Sequence, residues 1–409
     1  MKKLLQINSV VNTGSTGRIA EEIGLLASSH GWKTFIAYGR HGNPSKSSLI
    51  KIGNKIDNFY HLLITRIFDR HGFGSRKATK SLIRKIDEIN PDIIHLHNIH
   101  GYYLNIEILF EYLELKGIPV VWTLHDCWAF TGHCVHFEQI GCSKWKNSCS
   151  KCPLTKSYPK SLLFDNSKIN YQKKRKLFNS SKKNITIVSV SYWLQNLVES
   201  SFLKKNKTKT IHNGIDLSIF NCKDDNQQFK DKLNLQNKFL ILGVASVWDI
   251  SKGFFDFIDL SKVISEDELI ILVGLSKNQI SILPNNIIGI EKTESTEQLA
   301  EFYSGSNVFV NLTYADTFPT TNLEALACGT PVITYNTGGS PEAISKETGY
   351  VVKQGDKAEV LKCIRKIKEV KKENFIIPCR ERAETFFNKN QKYNEYLDLY
   401  NNLINDNIK

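Results

Sequence analysis

The segment NVFVNLTYADTFPTTNLEALACGTPVITYN, Asn307 to Asn336, decides the fold. NVFVNLT is a short apolar run of strand length, DTFP is loop chemistry, TTNLEALACG reads as a helix closed by Gly329, and PVITYN (331–336) is a second strand. Apolar strands joined through a helix are parallel strands covered on both faces. The same alternation runs along the rest of the chain. LLQINSV (4–10), KTFIAYG (33–39), DIIHLHN (92–98), PVVWTLH (119–125), ITIVSV (185–190), FLILGVAS (239–246) and ELIILVG (268–274) are separated by helical stretches such as 77–89 and 357–370. The pattern predicts an α/β protein with two doubly wound parallel sheets. The polar stretch NGIDLSIFNCKDDNQQFKDK (213–232) marks the boundary between them. Near the end, Phe386, Tyr393, Tyr396, Leu397 and Tyr400 recur at helical spacing within 381–403.

Composition agrees with this division. A chain of 409 residues with 41% hydrophobic residues is too long for one compact core and suits two domains. The opening MKKLLQINSVVNTGSTG has an apolar run too brief for a signal-peptide core, and no apolar run reaches membrane-spanning length. A cytoplasmic location is the expectation. The net charge of +13 is uneven: residues 1–215 hold 32 Lys and Arg against 14 Asp and Glu, and the remainder 22 against 27. A basic half joined to an acidic half points to different partners. Without helix-turn-helix spacing or an RNA-binding signature, nucleic acid is not expected. Anionic lipid headgroups or a lipid-phosphate acceptor fit the basic half, as does a plain solvated surface.

Ligands of open α/β sheets bind beyond the carboxyl ends of the strands, so the residues after each apolar run matter most. Gly14, Gly17 and Arg18 follow the first run, in a turn that opens a helix and can accept an anion; Gly-Ser-Thr-Gly is equally ordinary turn chemistry. His97–Asn98 and His125–Asp126 end two further strands, where histidines serve structure or catalysis. Lys252, before Gly253, can pair with a diphosphate or stay solvated. Thr321 and Glu324 match a capping box, which explains Glu324 without a ligand. It leaves Asp316, able to accept hydrogen bonds from sugar hydroxyls, and Thr320, able to donate to phosphate.

Five of the nine cysteines lie in HDCWAFTGHCVHFEQIGCSKWKNSCSKCP (125–153). Cys134, Cys142, Cys149 and Cys152 suit four thiolates around a structural zinc, with His133 or His136 able to replace one; free buried cysteines are the alternative.

Taken together, these segments resemble the family-four retaining glycosyltransferases of GT-B fold, over nearly the whole chain. The resemblance is carried by the carboxylate-x7-carboxylate signature Asp316 to Glu324 with EALACGTPVI (324–333), by HNGIDLSIF (212–220), by SVSYWLQNLV (189–198) and by SVWDISKGF. The cysteine-rich insert, 127–153, is similar to that of a subgroup in bacterial surface-polysaccharide biosynthesis. The resemblance implies two Rossmann-like domains facing a central cleft. Residues 1–215 would be the acceptor side, with the C-terminal helix 381–409 packing back on it, and 216–380 the donor side. It implies that Glu324 binds the nucleotide ribose, Asp316 the donor sugar, and Lys252, Thr320 and Thr321 the diphosphate. His125 would lie near the reacting carbon, and Gly14 to Arg18 would cover the diphosphate.

The catalytic set is then His125, Lys252 and Asp316. The expected donor is a UDP- or GDP-linked sugar, the acceptor a glycan or lipid-diphosphate-linked glycan, and no cofactor is expected for catalysis, Lys252, Arg18 and helix amides neutralising the leaving group; no Asp-x-Asp metal motif occurs, which fits. The enzyme would work peripherally at the inner face of the cytoplasmic membrane. Two departures stand out. The signature opens with Asp316 instead of the usual Glu, and Ser251 occupies a place where a second cation is common, leaving Arg18 as its candidate replacement. A sugar phosphorylase, a nucleotide-sugar epimerase, a non-catalytic sugar-binding protein and a nucleic-acid binder are the alternatives.

Overall fold

The computed structural model describes residues 1–179, 184–222, 229, 231 and 235–408; the boundary stretch 213–232 lies partly outside these. Two compact units divide the chain: Met1–His212 with Lys392–Lys409, and Asn213–Gln391.

Among the described residues, the first unit holds seven strands: β1 (Lys3–Asn8), β2 (Lys33–Tyr38), β3 (Ser48–Lys51), β4 (Ile93–Leu96), β5 (Val120–Leu124), β6 (Ile185–Ser189) and β7 (Lys207–Thr210). All pair in parallel, in the order 3-2-1-4-5-6-7. The central strands are apolar because helices cover both faces; every residue of VVWTL in β5 is buried. The second unit repeats the plan with β8 (Phe239–Val244), β9 (Glu268–Val273), β10 (Ile287–Ile290), β11 (Val308–Asn311), β12 (Val332–Tyr335) and β13 (Gly349–Val352). Its order is 10-9-8-11-12-13, again parallel. Both sheets are doubly wound, and in each the order reverses beside the first strand of its set.

The segment read as helical over 381–403 belongs to two helices, Glu373–Phe387 and Lys389–Ile408. The backbone turns at Asn388 because it pairs there with Ile215: the Ile215 amide donates to the Phe387 carbonyl at 2.7 Å, and the Lys389 amide to the Ile215 carbonyl at 3.1 Å. Beyond the turn, Tyr393, Tyr396, Leu397 and Tyr400 are buried in one cluster with Leu4, Ile23, Ile93 and Val121 of the first unit. The earlier Phe386 is half exposed, whereas Phe387 is buried. Among the described residues, no helix is long and apolar enough to cross a membrane.

Candidate functional site

Two loops meet at the switch point of the second sheet. One follows β8 and carries Lys252; the other follows β11, its neighbour in the sheet, and carries Asp316. In open α/β sheets, ligands bind where the strand order reverses. The Asp249 carboxylate closes the first loop by accepting from the Lys252 amide at 3.0 Å. Gly253 follows in the left-handed region, φ +75°. A Cβ there would lie 2.4 Å from the Leu312 carbonyl oxygen, so glycine is required for the loops to touch. The Tyr314 amide then donates to the Ser251 carbonyl at 2.7 Å.

This stitching brings Lys252 Nζ to 2.8 Å from Asp316 Oδ2. Burial pulls the lysine pKa down, but the adjacent carboxylate outweighs it and the net displacement is upward. The ammonium is therefore held charged. The other oxygen of Asp316 accepts from the Phe318 amide at 3.2 Å.

The helix Thr320–Ala327 follows directly, and here the capping box fails. Pro319 occupies the position before the helix and no side chain caps it, so Thr321 lies within the first turn. Proline has no side-chain oxygen to offer the orphan amides. No acidic residue sits in that turn either, so the positive end of the helix is uncompensated by side chains of the turn. Glu324, one turn on, is buried and accepts from the Tyr303 hydroxyl at 2.8 Å. Sequence reading missed the groups that fix the Asp316 loop from behind. Asp256 accepts from the Tyr314 and Tyr335 hydroxyls at 2.7 and 2.9 Å. Gln354 Nε2 donates to the Tyr314 carbonyl at 3.1 Å. Nothing in their spacing marks them, since each meets its partners only through the fold.

In the first unit, β1 leads into the helix Gly14–Ser29. Gly14 has φ +61° with open space where a Cβ would stand. Gly17 serves the turn itself, because a Cβ there would press on Val10 Cγ2 at 3.0 Å. Arg18 is exposed and its Nε donates to the Gly14 carbonyl at 3.3 Å. His97 and His125, following the paired strands β4 and β5, place Nδ1 and Nε2 3.2 Å apart with nearly parallel rings. His97 Nε2 lies 3.0 Å from Gln6 Oε1. Behind them, His95 is held between Thr123 Oγ1 at 2.7 Å and the Tyr400 hydroxyl at 2.6 Å. Burial is the main cause that lowers the pKa of His95, His97 and His125, the last to about 4 against the opposing pull of Asp126. His125 is thus a neutral imidazole at physiological pH, fit for hydrogen bonding. Asp126 pairs with His100 at 2.7 Å; burial raises the carboxyl pKa, but His100 overcomes it and the value falls to about 2.

Cys134, Cys142, Cys149 and Cys152 line one pocket together with His133 and Trp145. His133 is buried; its Nδ1 lies 2.5 Å from Asp69 Oδ1, while Nε2 is buried without a hydrogen-bond partner. Among the described residues, no three His, Cys, Asp or Glu groups are arranged as they stand to hold a metal ion.

Residues 28–219 match the model of Glycosyltransferase Family 4, and residues 225–382 that of Glycosyl transferases group 1. The chain is 24% identical, over 98% of its length and 100% of the relative's, to a protein of Escherichia coli (strain K12) provisionally named as the colanic acid biosynthesis glycosyl transferase WcaC. It is 25% identical to the capsular polysaccharide biosynthesis glycosyltransferase CapM of Staphylococcus aureus, over 54% of this chain and 62% of CapM. Among solved structures, sucrose-phosphate synthase from Thermosynechococcus elongatus superposes with a TM-score of 0.74 at 16% identity, covering 99% of this chain and 100% of the other.

Proposed function

We propose that this chain, a glycosyltransferase of GT-B fold related to Glycosyltransferase Family 4 and to polysaccharide-biosynthesis enzymes, moves a hexose-type sugar from a UDP- or GDP-linked donor to a glycan or lipid-diphosphate-linked acceptor of a surface polysaccharide, with retention of anomeric configuration. The observation that carries the reading is the Lys252–Asp316 pair at the switch point of the second sheet, beside a helix start that no side chain caps. The ion pair reconciles two roles. An arriving diphosphate competes for the lysine ammonium, which has three donors, and leaves Asp316 free to accept from donor-sugar hydroxyls. The Thr320 and Thr321 hydroxyls and first-turn amides add anion contacts that need no reorganisation as charge develops on the leaving phosphate. Glu324 is assigned to the ribose, with Tyr303 orienting its carboxylate. His125 is assigned to the donor sugar near the reacting carbon, and Gly14, Gly17 and Arg18 to the diphosphate. The enzyme is assigned to the inner face of the cytoplasmic membrane.

Thermal shift with a panel of UDP- and GDP-sugars tests the reading. A donor at a hundredfold its Kd stabilises the folded state by about 2.7 kcal/mol. Glu324→Ala is expected to abolish the shift given by the cognate nucleotide. A shift that persists undiminished in a merely less stable variant would remove the ribose assignment.

A structural zinc on Cys134, Cys142, Cys149 and Cys152 is a second part of the proposal. It is supported by the four thiols sharing one pocket and by the unpartnered His133 Nε2 beside them. Metal analysis of protein purified without chelator should give about one equivalent of zinc for one such four-ligand site; less than about half would sink the idea.

A further inference from the structure

The helix Lys55–Phe68 packs with an unusual face outward. It buries only His61 and Thr65, while Ile56, Phe59, Tyr60 and Leu63 are exposed. These four follow the i, i+3, i+4, i+7 spacing that normally turns toward a core. Ile56 is 78% and Phe59 65% exposed. The loop Leu162–Phe164 extends the surface. Its Leu162 amide donates to the Arg66 carbonyl at 2.7 Å and its Phe164 amide to the Ile67 carbonyl at 3.1 Å, which fastens it along the helix end. Phe164 stacks on Phe68 with ring centroids 5.6 Å apart, and Leu163 stands 72% exposed. Helix and loop therefore form one apolar surface, of the kind that marks an interaction site.

Charge decides its occupant. Lys55 opens the helix and Arg70 lies two residues past its end, while Lys156, Lys160 and Lys168 flank the loop in sequence; all five are exposed. Of the nearby acids, Asp57 is engaged with the Asn54 amide at 3.0 Å, and Asp165 with the Cys152 and Ser167 amides at 2.6 and 2.9 Å. A second copy docked about a twofold axis would set these cations against themselves. An anionic bilayer offers acyl chains to the apolar stripe and headgroups to the cations.

We propose that the exposed face of the helix Lys55–Phe68, continued by the loop Leu162–Phe164, docks the first unit on an anionic lipid surface. The inference rests on the reading of a lipid-linked acceptor above and supplies the surface on which that acceptor is met. The test is sedimentation of the full chain with phosphatidylglycerol–phosphatidylethanolamine vesicles, against phosphatidylcholine alone. The anionic vesicles are expected to bind at least about tenfold more strongly, and Phe59→Ser combined with Leu163→Ser to weaken that binding at least about tenfold. Failure to sediment, equal binding to both vesicles, or binding unchanged in the double variant overturns the proposal. So does self-association of the parent chain that the double variant abolishes, since a second copy would then be the occupant. Donor-induced thermal shift in the same samples keeps the two readings apart: its loss in the parent chain with vesicle binding intact would sink the donor site and leave the surface standing.

Discussion

Lys252→Ala should lower kcat by about 10²–10³, the usual consequence of deleting one preorganised charge from a developing oxyanion. The lysine earns this expectation from its place as much as from its type. Its ammonium is fixed by Asp316 at 2.8 Å, held charged, and carried on a turn that Asp249 and Gly253 lock against the β11 loop. Because the lysine pKa is displaced upward from 10.5, the cation persists across the working pH range and is lost only as pH rises through the displaced value. Donor affinity should fall less than turnover, because first-turn amides and hydroxyls still hold the phosphates. Steady-state kinetics on the parent and the variant decide the matter. A variant with full kcat and only a raised KM would mean that Lys252 binds the ground state and the transition state equally.

Acid sensitivity should be confined largely to one unit. His61, His71, His95, His97 and His125 all have pKa values lowered from 6.5 chiefly by burial, His61 to about 3 and His125 to about 4. The sign follows from proton uptake. At pH above 6.5 both folded and unfolded imidazoles are neutral and the five groups contribute nothing pH-dependent. As pH falls below 6.5 the unfolded chain binds protons that the folded unit refuses, and stability drops until the folded groups themselves protonate. Each group contributes about 1.4 kcal/mol per pH unit, so the five together approach about 7 kcal/mol per pH unit at the steepest. All 11 histidines precede Asn213, so the second unit has none to titrate and acts as an internal control. Urea unfolding followed between pH 6.5 and 4.5, with a probe in each unit, should show a steep loss for the first alone. Parallel slopes in the two units would mean that these histidines are not held neutral.

The sequence made most of the fold legible, and the elements it concealed share one property. β3, β7, β10 and β13 are the four strands that were not anticipated, and they are the four sheet edges. An edge strand has only one neighbour and less cover, so KTKT of β7 can be polar where VVWTL of β5 cannot. The site was legible residue by residue and opaque in its pairings. Lys252 and Asp316 each follow an apolar run, but their contact depends on Gly253 approaching Leu312, which no local pattern records. The capping box misled because its Thr and Glu were read without Pro319, which takes the position before the helix two residues earlier than Thr321 and leaves Glu324 for Tyr303.

The helix Lys389–Ile408 places Tyr393, Tyr396 and Tyr400 in the core that Leu4 and Ile23 begin. On the ribosome, those tyrosines emerge only after the whole of the second unit, residues 213–391, has been made. The second unit has its entire sheet in hand before the first has its full complement of apolar partners. Biosynthesis therefore crosses the chain order: the strands of the first sheet are made first, but its apolar cover is completed only after the whole sheet of the second unit has been made.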